Sequence, residues 1–160
     1  MSIEKIISGG QTGVDQAALQ AAIDSGIEHG GWCPPGRVCE DGIIPNRFRL
    51  KETPEARSPE APNIPRSLRT EWNIRDAEAS LIILPERMPP DPGTSWALKM
   101  AEKYQKPYFM VDPTTDVLQF TKDWIRSNQI RVLGVGGPSE MTVPGIYDST
   151  YQFMKDLLTK

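Results

Sequence analysis

Histidine and cysteine are scarce in this 160-residue chain, which has one histidine, His29, and two cysteines, Cys33 and Cys39. A His-based metal centre or a Ser-His-Asp triad would rest on His29 alone. Its setting, Ile27-Glu28-His29-Gly30-Gly31-Trp32, reads as a strand edge. Cys33 and Cys39 enclose Pro34-Pro35-Gly36-Arg37-Val38, a spacing that fits neither a CxxC redox pair nor a zinc ligand set. No protein-ligated metal is expected. A run approaching the ~20 apolar residues of a membrane span is missing, and Met1-Ser2-Ile3-Glu4-Lys5 lacks a signal peptide's apolar segment. Basic charge is not in excess: the formal net charge is −3, which argues against a general nucleic-acid surface but leaves room for a local basic pocket. The expectation is a cytoplasmic protein without membrane or nucleic-acid partners, residues 1–160 forming a single ligand-binding domain.

Glycine and proline, by contrast, are plentiful and clustered. Lys5 to Ser8 reads as a first strand, and Ser8-Gly9-Gly10-Gln11-Thr12-Gly13 as a turn into an Ala-rich helix from Val14 to Ser25. Thr12 and Asp15 have the spacing of a capping box, and the unpaired N–H groups of such a helix start can seat an anion. Glu28 to Cys33 reads as a second strand. From Pro34 to Pro65 prolines break any long element, and a long irregular stretch of this kind usually carries function. Beyond it, helices are expected over Ser67–Glu78, Thr94–Gln105 (capped by Thr94 or Ser95), Asp116–Asn128 and Ile146–Leu158. Strands are expected over Ser80–Leu84, Pro107–Val111 and Ile130–Val135. Strands alternating with helices predict an α/β fold with a mostly parallel sheet of about five to seven strands.

In an open α/β sheet, ligands bind outside the carboxyl ends of the strands. Three predicted strands lead into glycine-bearing turns, Gly9–Gly13, Pro92-Gly93-Thr94-Ser95 and Gly136-Gly137-Pro138, all expected on one rim. Hydroxyls at Thr12, Thr94 and Ser95 suit phosphate oxygens. Neither familiar nucleotide motif fits: a P-loop needs Lys and a hydroxyl residue where Val14-Asp15 stand, and G-G-x-x-G is not G-x-G-x-x-G. Arg37 and Arg69 are candidates for a bidentate anion clamp, Glu40 and Asp41 for a ligand amine or hydroxyl or for acid–base work. Asn73 could read a base-like edge or tie its helix to the rim. Trp32, Trp72 and Trp96 are expected to pack in the core, and Asp15 to cap its helix.

The blocks Ser8-Gly9-Gly10-Gln11-Thr12-Gly13-Val14-Asp15-Gln16-Ala17-Ala18-Leu19, Gly31-Trp32-Cys33-Pro34, Arg37, Glu40-Asp41-Gly42, Arg69-Thr70, Asn73, Gly93-Thr94 and Gly137-Pro138 with Glu140 resemble the putative molybdenum carrier family. The resemblance runs from about Ile6 to Ile146. It implies a Rossmann-like three-layer sandwich related to lonely-guy type phosphoribohydrolases and the DNA-processing protein A domain, and a homodimer or homotetramer. It further implies carriage of molybdenum cofactor (molybdopterin), a phosphorylated pterin whose metal arrives with it. Two positions depart. Where the hydrolases carry an acid three residues after the Thr of their Gly-Thr turn, this chain has Ala97, which favours holding a ligand over cleaving it. Ser139 stands where the carrier pattern has an arginine before Glu140. The expected ligand site comprises Gly9, Gly10, Gln11, Thr12, Gly13, Arg37, Asp41, Arg69, Asn73, Gly93, Thr94, Ser95 and Gly137, without catalysis. The alternatives are a nucleotide N-glycosidic hydrolase acting through Glu40 or Asp41, and an interaction module whose rim binds a protein.

Overall fold

The computed structural model describes residues 3–159. Five strands form its central sheet: β1 (Lys5–Ile7), β2 (Glu28–Gly30), β7 (Ala79–Ile83), β8 (Tyr108–Val111) and β9 (Val132–Gly136), in the order β2-β1-β9-β7-β8. Every pairing is parallel, which requires crossovers and places helices on both faces. The α/β expectation holds. The chain leaves β1 towards one edge and β7 towards the other, so the order reverses around β9.

The two faces are packed differently. Ile6, Leu81, Ile83, Leu133 and Val135 belong to a core shared with α1 (Val14–Asp24), α4 (Leu118–Ser127) and α5 (Ile146–Leu158). The alanines Ala17, Ala18, Ala21 and Ala22 of α1 are completely buried, as a close-lying helix demands. The other face carries α2 (Ser67–Asp76) and α3 (Pro92–Lys103) over a smaller core of Ile74, Ile82, Trp96, Ala97, Met100 and their neighbours. Register explains the difference. Ile7, Gly134 and Ser80 lie side by side, as do Gly136 and Ile82, so the middle strand presents only hydrogen atoms to α2 and α3 at two successive positions.

Helix and strand bounds follow the sequence to within about two residues, with informative exceptions. The second strand is two. It breaks at Gly31 (φ 126°), after which β3 (Trp32–Cys33) pairs with β6 (Lys51–Glu52) in a separate ribbon. A Cβ on Gly31 would collide with the Ser8 carbonyl oxygen and approach Asn73 Oδ1 to 2.9 Å. The caps also differ. α1 starts at Gly13 with no side-chain cap, so neither Thr12 nor Asp15 caps it, and α3 is capped by Asp91, whose Oδ1 accepts the Thr94 N–H at 2.7 Å, not by Thr94 or Ser95.

The stretch from Pro34 to Pro65 is irregular, as expected, yet held by specific donors. It includes a short 3₁₀ turn (Pro35–Arg37) and the antiparallel hairpin β4 (Val38–Cys39)–β5 (Gly42–Ile43). Arg37, at φ 55°, donates to the carbonyls of Pro45 (3.0 Å) and Phe48 (2.8 Å) and more distantly to Ile44 and Leu50 (both 3.4 Å). Phe48 and Ile44 then pack with Leu19, Cys33 and Cys39 against α1. Farther on, Ser58 and Tyr104 both donate to Glu71 at 2.6 Å, joining the loop to α2 and α3.

Candidate functional site

A cleft of about 200 Å³ opens at the carboxyl ends of β1, β9 and β7 and runs inward between the sheet and α2 and α3. The glycine turns meet there as the sequence suggests: Gly9 and Gln11 from the first, Gly93 and Thr94 from the second, Gly136 and Gly137 from the third all line it. Arg69, Asn73 and Glu40 also belong to its wall. Gly10, Thr12, Gly13, Arg37, Asp41 and Ser95 do not.

Gly10 packs against Ile44 and Leu50, with Cβ space for neither. Thr12 donates to Glu40 Oε2 at 2.9 Å, behind the wall. Both terminal nitrogens of Arg37 are taken by loop carbonyls, and although its Nε is buried without a partner, the residue does not line the cleft. Asp41 sits exposed on the hairpin tip, where it accepts the Cys39 thiol at 3.0 Å. Ser95 points to solvent from α3. Asn73 ties its helix to the ribbon: its amide donates to the Trp32 carbonyl (3.0 Å) and accepts the Trp32 N–H (2.8 Å), the second of the two roles considered for it.

The expected anion seat at the start of α1 is filled from within. The Gln11 N–H goes to Asp15, the Thr12 N–H to the Gln11 side chain, and the Val14 N–H to the Pro138 carbonyl at 3.3 Å. A Cβ on Gly13 would come within 2.6 Å of the Glu140 nitrogen, so this glycine admits the 138–140 turn rather than a phosphate.

The free donors are elsewhere. Arg69 crosses the Gly9 backbone and gives Nη1 to Asp15 Oδ2 at 2.7 Å, a pair whose side chains are only 17% and 3% exposed. Its Nε is buried without a partner, so the arginine is anchored at one nitrogen while further donors remain uncommitted. Burial pushes the Asp15 carboxyl up, against the pull of Arg69 and of the Gln11 N–H. Beside it, Arg66 holds a left-handed backbone at φ 59°, a conformation non-glycine residues adopt at a cost.

Acceptors line the cleft as well. Glu40 accepts Ser139 Oγ at 2.6 Å, Thr12 Oγ1 and, at 3.4 Å, the Met141 N–H, while its own N–H goes to Gln11 Oε1 at 2.8 Å. The β4–β5 hairpin is thereby latched to the last glycine turn. Glu140 caps the start of α5 through the N–H groups of Gly145 and Tyr147. Ser139, at the departing position, therefore braces Glu40.

Arg66, Ser80, Asp91 and Gly134 also line this wall without having been expected there, and Gly136 was expected only as part of a turn, not as the companion of Gly134 on one face. Only the last pair left a signal: glycines two apart in a strand empty one face. His29 is an edge-strand residue whose Nε2 accepts the Arg49 N–H. Trp96 is buried and donates to the Ser67 carbonyl, and Trp32 meets Trp72 edge-on at 4.8 Å. Burial and the adjacent Asp41 carboxylate push the Cys39 thiol up to about 11, which removes it as a nucleophile at neutral pH. Among the described residues no group of three His, Cys, Asp or Glu side chains could hold a metal ion, and no helix is long and apolar enough to cross a membrane.

A model of the circularly permutated YpsA SLOG family matches residues 6–158. Among solved structures, the chain is similar to the crystal structure of a putative molybdenum carrier protein from Syntrophus aciditrophicus SB, with 35% identity and a TM-score of 0.86 over 99% of this chain and 96% of that one. A search of curated proteins finds no match. Agreement across nearly the whole chain in both sequence and fold leads to one conclusion: the chain belongs to the circularly permutated YpsA SLOG family.

Proposed function

We propose that this protein is a carrier that binds a phosphorylated nucleotide- or pterin-like ligand in the cleft without transforming it, molybdenum cofactor being the named candidate. The observation that carries the reading is Arg69. A half-buried guanidinium anchored at one nitrogen by Asp15, with its Nε unpartnered, is a prepared donor for an anionic group.

Glu40 and Asp91 add acceptors at the same wall. A site for bare phosphate would avoid such carboxylates, whereas ring N–H groups or ribose hydroxyls give them partners. Carriage fits better than hydrolysis. Ala97 faces the cleft where the related hydrolases have an acid, Asp41 lies outside it, and Glu40 is already engaged by Ser139 and Thr12. Any molybdenum would travel as part of the cargo, so the wall needs no metal ligands of its own. The Syntrophus relative is named for carrying molybdenum, and that name is what brings molybdenum cofactor forward as the candidate.

Mass spectrometry of small molecules released from the purified protein by gentle denaturation tests the proposal, with titration of nucleoside monophosphates and neopterin phosphate alongside. Binding is expected, with a loss of about 10- to 100-fold in Arg69→Lys, which keeps a cation for Asp15 but removes the guanidinium fork. Release of free base from the monophosphates would overturn the non-catalytic reading. No binding by any of these compounds would overturn the ligand class.

A further inference from the structure

The inner half of the cleft has a chemistry different from its mouth. Charged side chains (Arg66, Arg69, Glu40, Asp91) line the cleft with exposure to solvent. Deeper, the walls are Ile7, Ile74, Ile82 and Ala97, and the middle strand beneath carries no side chain at Gly134, where Ser80 and Ala77 close in, or at Gly136, which faces open space. At the bottom, Ser80 is 1% exposed and its Oγ has no hydrogen-bond partner, 3.0 Å from where a Gly134 Cβ would stand. One level higher, a Cβ on Gly136 would meet nothing within 4 Å. A buried hydroxyl without a partner costs free energy unless something else satisfies it. A trough with apolar sides excludes charge.

We infer that this glycine-floored trough is the subsite for the ligand's uncharged planar ring, with Ser80 Oγ as its polar contact, while the anionic end stays outside on Arg69. The subsite rests on the ligand reading above and narrows it. A cleft of about 200 Å³ is small for a whole nucleotide or pterin phosphate. It takes the ring edge-first and leaves the phosphate at the mouth. A phosphorylated sugar without a base would use the mouth alone.

Gly136→Ala is the discriminating variant, because the strand backbone there is ordinary and the added methyl has room in the apo protein. It fills only the space assigned to the ring. Ser80→Ala removes the hydroxyl and little else. Affinities for adenosine and guanosine monophosphate, neopterin phosphate and ribose 5-phosphate are measured by calorimetry on the wild-type protein and both variants.

The best-bound ring ligand is expected to lose about tenfold or more in Gly136→Ala and about three- to tenfold in Ser80→Ala. Ribose 5-phosphate should change less than twofold in either. Equal losses for ring ligand and ribose 5-phosphate, or no loss for the ring ligand, would overturn the subsite and leave the ligand class standing. A wild-type protein that binds none of the four overturns both.

Discussion

At Gly9 the backbone has no room for a methyl group, because the Arg69 side chain lies against it on the way to Asp15. This glycine is required by an arginine distant in sequence, not by a turn; Gly9 is not among the positive-φ glycines of the loop, which include Gly10 and Gly13. Gly9→Ala is therefore expected to displace the guanidinium more than the backbone, since a long side chain moves more readily than a buried strand end. Circular dichroism should show an intact fold with a modest drop in melting temperature. Calorimetry should show ligand affinity falling at least as far as in Arg69→Lys. Unchanged affinity would mean that Arg69 does not hold the ligand.

At the scale of elements, the Pro34–Pro65 segment shows how an arginine can look like a ligand clamp and serve as a fastener. Four carbonyls between Ile44 and Leu50 converge on Arg37, and α1 gains a small apolar core beneath them. Arg37→Met should leave those carbonyls without their donor and cost about 2 kcal/mol, seen as a lower urea midpoint and faster proteolysis between residues 38 and 50. Ligand affinity should suffer less than in Arg69→Lys. The opposite order would return Arg37 to the site. The β4–β5 hairpin is tied to the Ser139 turn and to the first glycine turn through Glu40, which accepts from Ser139, Thr12 and Met141 and donates its N–H to Gln11. Strand β9 and the starts of α2 and α3 supply the rest of the wall.

For the molecule as a whole, several carboxylates with lowered native values tie stability to pH on the acid side. Burial alone would raise the Glu71 carboxyl, but Ser58, Tyr104 and Lys103 together hold it below its ordinary value of 4.5. Asp76, held down by Arg75 and Trp32 against burial, and Asp112, by Thr114 and the Glu86 N–H, behave alike. A depressed native value means that the unfolded chain binds protons first. The stabilisation is complete above the ordinary carboxylate range and is lost as pH falls from about 4.5 through the lowered values. Thermal melts should show a plateau near neutrality and a decline below that range. Glu71→Gln should melt lower at pH 7 and decline less steeply in acid. A parallel decline would mean that Glu71 contributes nothing to acid sensitivity.

Much of this architecture was legible in the chain. Apolar strands alternating with amphipathic helices, several of them bounded by glycine or proline, determine a parallel α/β sheet, because a buried strand and a crossover helix leave periodicities that need no knowledge of their neighbours. The same local logic placed three glycine turns on one rim, and they line the cleft. What the sequence could not decide is which partner each polar group finds. The capping-box spacing of Thr12 and Asp15 is real, but Asp15 turned to Arg69 and Thr12 to Glu40, both brought near only by folding. Ser80 reads as one polar residue in an apolar strand until β9 is placed beside it with glycine at the matching register. Hydrogen bonds and cavities form between residues far apart in the chain, so the tertiary structure alone turned a predicted phosphate cradle at α1 into a sealed helix start and moved the free donors to Arg69.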